Sequence, residues 1–146
     1  MAIESKVLHD MPLFEDMDED VLHKISQLMN YTMVQEGEVL TQKGEGAQSF
    51  YVILTGNYMV SFDDGRAFTL HEKGQIIGWS SIVSPFKYTG TAVALTRGEV
   101  FSMSSEDFRL LLQEDARISE KLMLKISAII SQRMPYVTGT KSSLGL

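Results

Sequence analysis

The stretch "VQEGEVLTQKGEGAQSFYVILTGNYMVSF", residues 34–62, decides the fold. Short β-type runs alternate in it with glycine-bearing turns: "EGE" around Gly37, "KGEG" at Gly44 and Gly46, and "TGN" at Gly56. The punctuation continues with "DDG" at Gly65 and "KG" at Gly74, then Gly78, Gly90 and Gly98. Strand signals spaced by about 8 to 12 residues predict a sandwich or barrel with jelly-roll-like winding. "SFYVIL" reads as part of one hairpin region, and "TGNYMVSFDDGRAFTL" as a second that turns at Asp63, Asp64 and Gly65. The roll is expected over about residues 31–103.

Outside the roll the apolar period changes to that of a helix. In "DEDVLHKISQLMN" the residues Val21, Leu22, Ile25, Leu28 and Met29 share one stripe, with Asp18 as N-cap. After the roll, "MSSEDFRLLL" places Ser104 three residues before Asp107, a capping-box spacing with Asp in place of the usual Glu or Gln. A longer helix is expected from about Asp115 to Met134, where Pro135 discourages continuation. Its residues Ile118, Leu122, Met123, Ile126, Ile129 and Ile130 form a broad stripe, with Lys125 and Arg133 towards the end that favours cations. The fold class is therefore mainly β with flanking helices: a double-stranded β-helix (jelly-roll-like) roll, an N-terminal helix and two C-terminal helices. One domain is expected over residues 1–134, with C-terminal helices at about 104–134 and a flexible tail over 135–146.

Composition removes several function classes. The chain has 146 residues, 44% hydrophobic and 22% charged, enough for one domain with a core. Its longest apolar run, residues 50–54, is far short of the roughly 20 needed to cross a bilayer. The opening "MAIESKVLHDMPLF" has no basic cluster followed by an apolar run, so no signal peptide is read and a cytoplasmic protein is expected. Without cysteine there is no disulfide, thiolate nucleophile or cysteine zinc site. A formal net charge of -6 argues against a general nucleic-acid binder.

One stretch stands apart, "GQIIGWSSIVSPFKYTGTA" at residues 74–92, a glycine-bracketed cradle late in the roll. Its meaning comes from a resemblance. "MPLFEDMDEDVL" leading into the first helix, the stretch at 34–62, and "VFSMSSEDFRLLL" at the roll's exit together resemble the cyclic-nucleotide-binding domains. These occur in catabolite-activator-type transcription factors, protein kinase regulatory subunits and nucleotide-gated channels. The resemblance covers about residues 7–134 and implies a regulatory sensor domain with a small-molecule effector.

In that family the cradle is a phosphate-binding cassette, Phe-Gly-Glu-Leu-Ala-Leu followed by Pro-Arg-x-Ala. A helix N-terminus and the arginine hold the phosphate, and the glutamate accepts from the ribose hydroxyl. Along this pattern Gly78, Ile82, Val83 and Thr89 match. Trp79 stands at the glutamate position and Tyr88 at the arginine position, while Lys87 falls one residue early and lacks a bidentate fork. Losing two hydrogen bonds to charged groups removes about 3 to 6 kcal/mol, or roughly two to four decades of affinity. The resemblance thus implies a cassette that does not use cyclic AMP or cyclic GMP. Three readings stay open at this level. Trp79 and Tyr88 fold inward as a plug. Alternatively, aromatic walls with hydroxyls from Ser80, Ser81, Tyr88 and Thr89 hold a planar or uncharged effector. In the third, Lys87 and the helix N-terminus bind a nucleotide weakly.

In family members of the transcription-factor type, the helix after the roll pairs with its twin. The resemblance implies a homodimer through Ile118, Leu122, Ile126, Ile129 and Ile130, against the alternative that this stripe packs on its own roll. Lys125 interrupts one seam and Arg133 ends another, so the period is not a clean heptad. About a dozen residues follow the helix, too few for a helix-turn-helix, so direct DNA binding is not expected and a downstream protein partner would carry the output. Enzymatic readings lack their residues. His9, His23 and His71 are too scattered for a cupin-type metal site, and "EDMDED" at residues 15–20 lacks the pattern of a calcium loop. Ser80 and Ser81 have no histidine base at interpretable spacing. The chain is read as a non-enzyme with no metal and no cofactor.

Overall fold

The computed structural model describes residues 5–78, 88 and 90–138, with residues 129, 130 and 132–138 described by their backbone alone. Among the described residues the chain runs through two helices, α1 (Ser5–His9) and α2 (Glu19–Leu28), and eight strands. These are β1 (Asn30–Val34), β2 (Val39–Thr41), β3 (Ser49–Thr55), β4 (Tyr58–Ser61), β5 (Ala67–Leu70), β6 (Ile76–Ile77), β7 (Thr91–Ala94) and β8 (Gly98–Ser104). Helices α3 (Ser105–Glu114) and α4 (Ala116–Thr138) follow. Strand pairing nests from the outside inwards, β1 with β8, β2 with β7, β3 with β6 and β4 with β5, all antiparallel. This nesting is the winding of a jelly roll, and it leaves two four-stranded sheets, β1-β8-β3-β6 and β2-β7-β4-β5.

Alternation along the strands assigns each side chain to one of two cores. From the first sheet, Phe50, Val52, Ile76, Phe101 and Met103 face the helices and join Leu8, Phe14, Leu22, Ile25, Phe108 and Leu111. Val34, Ile53, Ile77 and Val100 point the other way and meet Tyr58, Leu70, Ala92 and Ala94 of the second sheet. The molecule is thus layered as helices, sheet and sheet, with apolar burial on both faces of the first sheet. Phe50 and Phe108 stack edge-on with centroids 5.1 Å apart, which fixes α3 against β3.

The sequence-level signals act where they were expected. The Asp63 turn closes through Phe62 N–H to Arg66 O at 2.9 Å and Gly65 N–H to Phe62 O at 3.0 Å. Ser104 Oγ accepts from the Asp107 N–H at 3.0 Å and caps α3. Asp18 occupies the N-cap of α2 in extended conformation, although its side chain makes no capping bond there. The short α1, on which only Leu8 is buried, has no periodic signature in the sequence.

One expectation needs correction, and one stripe with two readings is located. Helix α4 continues through Pro135 to Thr138 instead of ending at Met134 with a tail from 135. A proline near a helix end costs one backbone bond and leaves the three residues beyond it free to complete the turn. The residues proposed for a dimer seam face inward: Ile118, Leu122 and Ile126 are buried within their own chain against the helix-side core. They are engaged there because α4 needs an apolar surface and joins the helix-side core of the same chain. The side chains of Ile129 and Ile130 lie outside the described residues.

Candidate functional site

The site is built where β6 runs out. Ile76 and Ile77 pair with Val52 and Tyr51, so the next residue, Gly78, is laid along the start of β3. Gly78 has φ +94°, and a Cβ there would stand 3.0 Å from Ser49 O and 3.3 Å from Phe50 Cα. Only glycine satisfies both the left-handed backbone and this approach. Trp79, Ser80, Ser81 and Lys87 lie outside the described residues, as does Thr89.

Tyr88 returns the chain to the same place. Its N–H donates to Glu45 O at 3.0 Å and its carbonyl accepts from Gly44 N–H at 2.9 Å, so the turn at 44–46 holds its backbone. Its side chain is directed inward with 9% of its surface exposed. The phenol donates to Ser49 O at 2.6 Å and accepts from Ser49 N–H at 3.3 Å. Ring carbon Cε1 lies 3.4 Å from where a Gly78 Cβ would be, so Gly78, Ser49 and Tyr88 form one contact group. Burial raises the Tyr88 phenol above its ordinary pKa, partly opposed by its backbone hydrogen bonds to Ser49 and Gln48. The neighbouring Tyr51 phenol is also raised, first by burial and then by the charges of Tyr88 and Glu38.

Around this group the roll supplies apolar and internally satisfied polar atoms. Leu40, Tyr51, Val60 and Phe68 pack, partly buried, against the core between the sheets. Thr41 Oγ1 is buried, donates to Gly90 O at 3.2 Å and accepts from Ala92 N–H at 3.0 Å. Nearby cations are engaged on the surface: Lys43 pairs with Asp63, and Arg66 pairs with Asp64 while lying 5.8 Å over the Phe62 ring. Among the described residues no cluster of three or more His, Asp or Glu is arranged to hold a metal ion. No described helix is long and apolar enough to cross a membrane.

Of the seven residues singled out in sequence, the structure brings together Gly78 and Tyr88. Sequence reasoning missed Ser49 and the turn at 44–46, whose role is to receive the hydroxyl and backbone of Tyr88. Their positions, some 40 residues away in sequence, carry no local signal, because Ser49 acts through its main chain.

This fold of a roll with flanking helices recurs in known proteins. A family model described as "Cyclic nucleotide-binding domain" matches residues 32–115. Over 134 residues the chain is 21% identical to the uncharacterized NTE family protein Rv2565 of Mycobacterium tuberculosis, covering 92% of this chain and 23% of that one. It is 26% identical over 110 residues to the cAMP-dependent protein kinase type II regulatory subunit of Drosophila melanogaster, covering 75% of this chain and 29% of that one. The chain thus spans less than a third of the length of either relative. A crystal structure of a putative cyclic nucleotide-binding protein from Geobacter metallireducens superposes with a TM-score of 0.80 at 20% identity, covering 90% of this chain and 98% of that one. With a family match over more than half of its residues and the nested strand pairing of a roll, this chain belongs to the cyclic nucleotide-binding domain family.

Proposed function

We propose that this chain is a regulatory domain of the cyclic-nucleotide-binding fold that does not answer to cyclic AMP or cyclic GMP. It acts as a sensor or scaffold for a downstream protein and catalyses no reaction itself. The observation that carries this reading is the Tyr88 hydroxyl donating to Ser49 O at 2.6 Å. Tyr88 stands where the cassette pattern has its arginine, and a phenol spent on the domain's own backbone offers no positive charge to a phosphate. Trp79 stands at the position of the ribose-binding glutamate, so the pattern lacks both of its charged grips. Their loss removes about 3 to 6 kcal/mol, which takes a micromolar site to roughly 0.1 to 10 mM at about one decade per 1.4 kcal/mol.

Isothermal calorimetry of the unaltered chain with cyclic AMP and cyclic GMP is expected to give no binding tighter than about 0.1 mM. The double substitution Trp79→Glu and Tyr88→Arg is expected to gain affinity for at least one of the two by tenfold or more, on the order of 1.4 kcal/mol. A dissociation constant of about 50 µM or better for the unaltered chain would overturn the reading.

A further inference from the structure

The chain contains nine methionines and no cysteine, so all of its oxidisable sulfur is thioether. Burial divides these methionines into groups. Met11, Met17, Met29 and Met103 sit in the helix-side core and are at most 5% exposed. Met59 and Met123 are partly buried, and the side chains of Met1 and Met134 lie outside the described residues. Met33 is 43% exposed. A flexible, polarisable thioether usually fills gaps in a core. On β1 one stands in solvent instead, where oxidants reach it.

The surroundings of Met33 give that exposure a consequence. Strand β1 is the edge of its sheet and pairs there with β8 alone. Met33 lies opposite Glu99 in this pairing, and residues so placed share a face of the sheet with Cβ atoms about 4.5 to 5.5 Å apart. Tyr31, two positions earlier on β1, falls on the same face. Its ring is partly buried against the helix-side core, whereas Met33 falls beyond what the helices cover. The thioether therefore borders the Glu99 carboxylate, which accepts from the Tyr31 hydroxyl and, at 3.1 Å, from Thr55 Oγ1. These two bonds join β1, β8 and β3 at the uncovered end of the sheet.

We propose that Met33 is an oxidation-sensitive modification site, at which a hydroperoxide converts the thioether to a sulfoxide and thereby loosens β1 from β8 and β3. With hydrogen peroxide, a sulfur lone pair attacks one peroxide oxygen: the S–O bond forms, the O–O bond breaks and hydroxide departs. The proton of the transferred hydroxyl passes to that hydroxide, which leaves as water. Sulfur is oxidised by two electrons and the peroxide is reduced by two. The product carries a polar S–O acceptor beside a carboxylate. Its oxygen repels Glu99 and competes for the Tyr31 hydroxyl, so the polar tie weakens. Reductases return each sulfoxide epimer to the thioether, which makes the change reversible. None of this depends on what the candidate site binds.

Peptide mass spectrometry of the full chain during a hydrogen peroxide titration tests the assignment. Met33 is expected to oxidise on the order of tenfold faster than Met11, Met17, Met29 and Met103, because susceptibility follows exposure. Comparable rates overturn it. Urea unfolding of the chain after conversion of Met33 tests the consequence. The unfolding equilibrium constant is expected to rise about fivefold, a factor that corresponds to about 1 kcal/mol. Met33→Leu, treated identically, keeps its midpoint. Glu99→Gln loses less on treatment than the unaltered chain, since its tie is already weakened. An unchanged midpoint in the oxidised chain, or an equal loss in Met33→Leu or Glu99→Gln, overturns the proposal. Should Met33→Leu fail to fold, reduction of the oxidised chain by methionine sulfoxide reductases decides. Return of the original midpoint is expected, and a loss that persists after reduction overturns the site.

Discussion

A single atom of Tyr88 links two parts of the chain that the sequence separates by 39 positions: its hydroxyl sits between the N–H and carbonyl of Ser49. The same economy governs the corner at Gly98. A Cβ there would fall 2.4 Å from Tyr58 Oη and 2.5 Å from Thr55 O, inside any real contact distance, while Tyr58 Oη itself donates to Thr55 O at 2.8 Å. Tyr58 is fully buried between the sheets and has no room to retreat. Gly98→Ala is therefore expected to destabilise the fold by about 1 to 3 kcal/mol, the usual cost of overpacking. Urea unfolding checks this, and an unchanged midpoint would contradict the crowded geometry. The glycine pattern announces a turn at this point but not the buried phenol that forbids a side chain.

At the scale of elements, the first sheet carries a polar tie across three strands. Glu99 on β8 accepts from the Tyr31 hydroxyl on β1 and, at 3.1 Å, from Thr55 Oγ1 on β3. The Tyr31 hydrogen bond, then that of Thr55, holds the Glu99 carboxyl below its ordinary pKa. A carboxyl with a depressed folded-state pKa contributes stability above its unfolded-state value and loses it as pH falls through the folded one. Stability measured by urea unfolding should thus decline on acidification, through and below the ordinary carboxylate range, more steeply in the unaltered chain than in Glu99→Gln. Superimposable pH profiles would remove the tie from the energetics. The group is solvent-facing, so the effect is read as a difference in slope and not as a fixed energy.

For the whole molecule, the question is which way α4 faces, since its apolar residues are too numerous for one stripe. The structure turns Ile118, Leu122 and Ile126 towards the helix-side core and leaves Leu124 71% exposed. Leu122→Ala is expected to cost about 2 to 5 kcal/mol, whereas Leu124→Glu changes stability by less than about 0.5 kcal/mol. Thermal and urea unfolding of the two variants check this, and comparable losses would mean that α4 is seated otherwise. The three inward residues follow the alternative reading of that stripe, in which it packs on its own chain. A helix of this length gains most of its stability from packing, and the nearest apolar surface belongs to its own chain.

Much of this architecture is legible in the linear chain because it rests on local chemistry. Glycine turns at Gly37, Gly56 and Gly65, alternating runs between them, and the Ser104 cap are properties of neighbouring residues, and they suffice for a roll with flanking helices. Of the stretch singled out at 74–92, Gly78 and Tyr88 were marked in sequence, and the structure brings these two together at Ser49. What the tertiary structure alone decided is where the side chains go. Tyr88 turns inward onto Ser49, the stripe of α4 is buried within its own chain, and Lys125 reaches across to Pro12, more than a hundred positions away. The physical reason is that local propensity acts over a few residues, while burial and hydrogen-bond satisfaction are settled among groups that meet only when the roll closes.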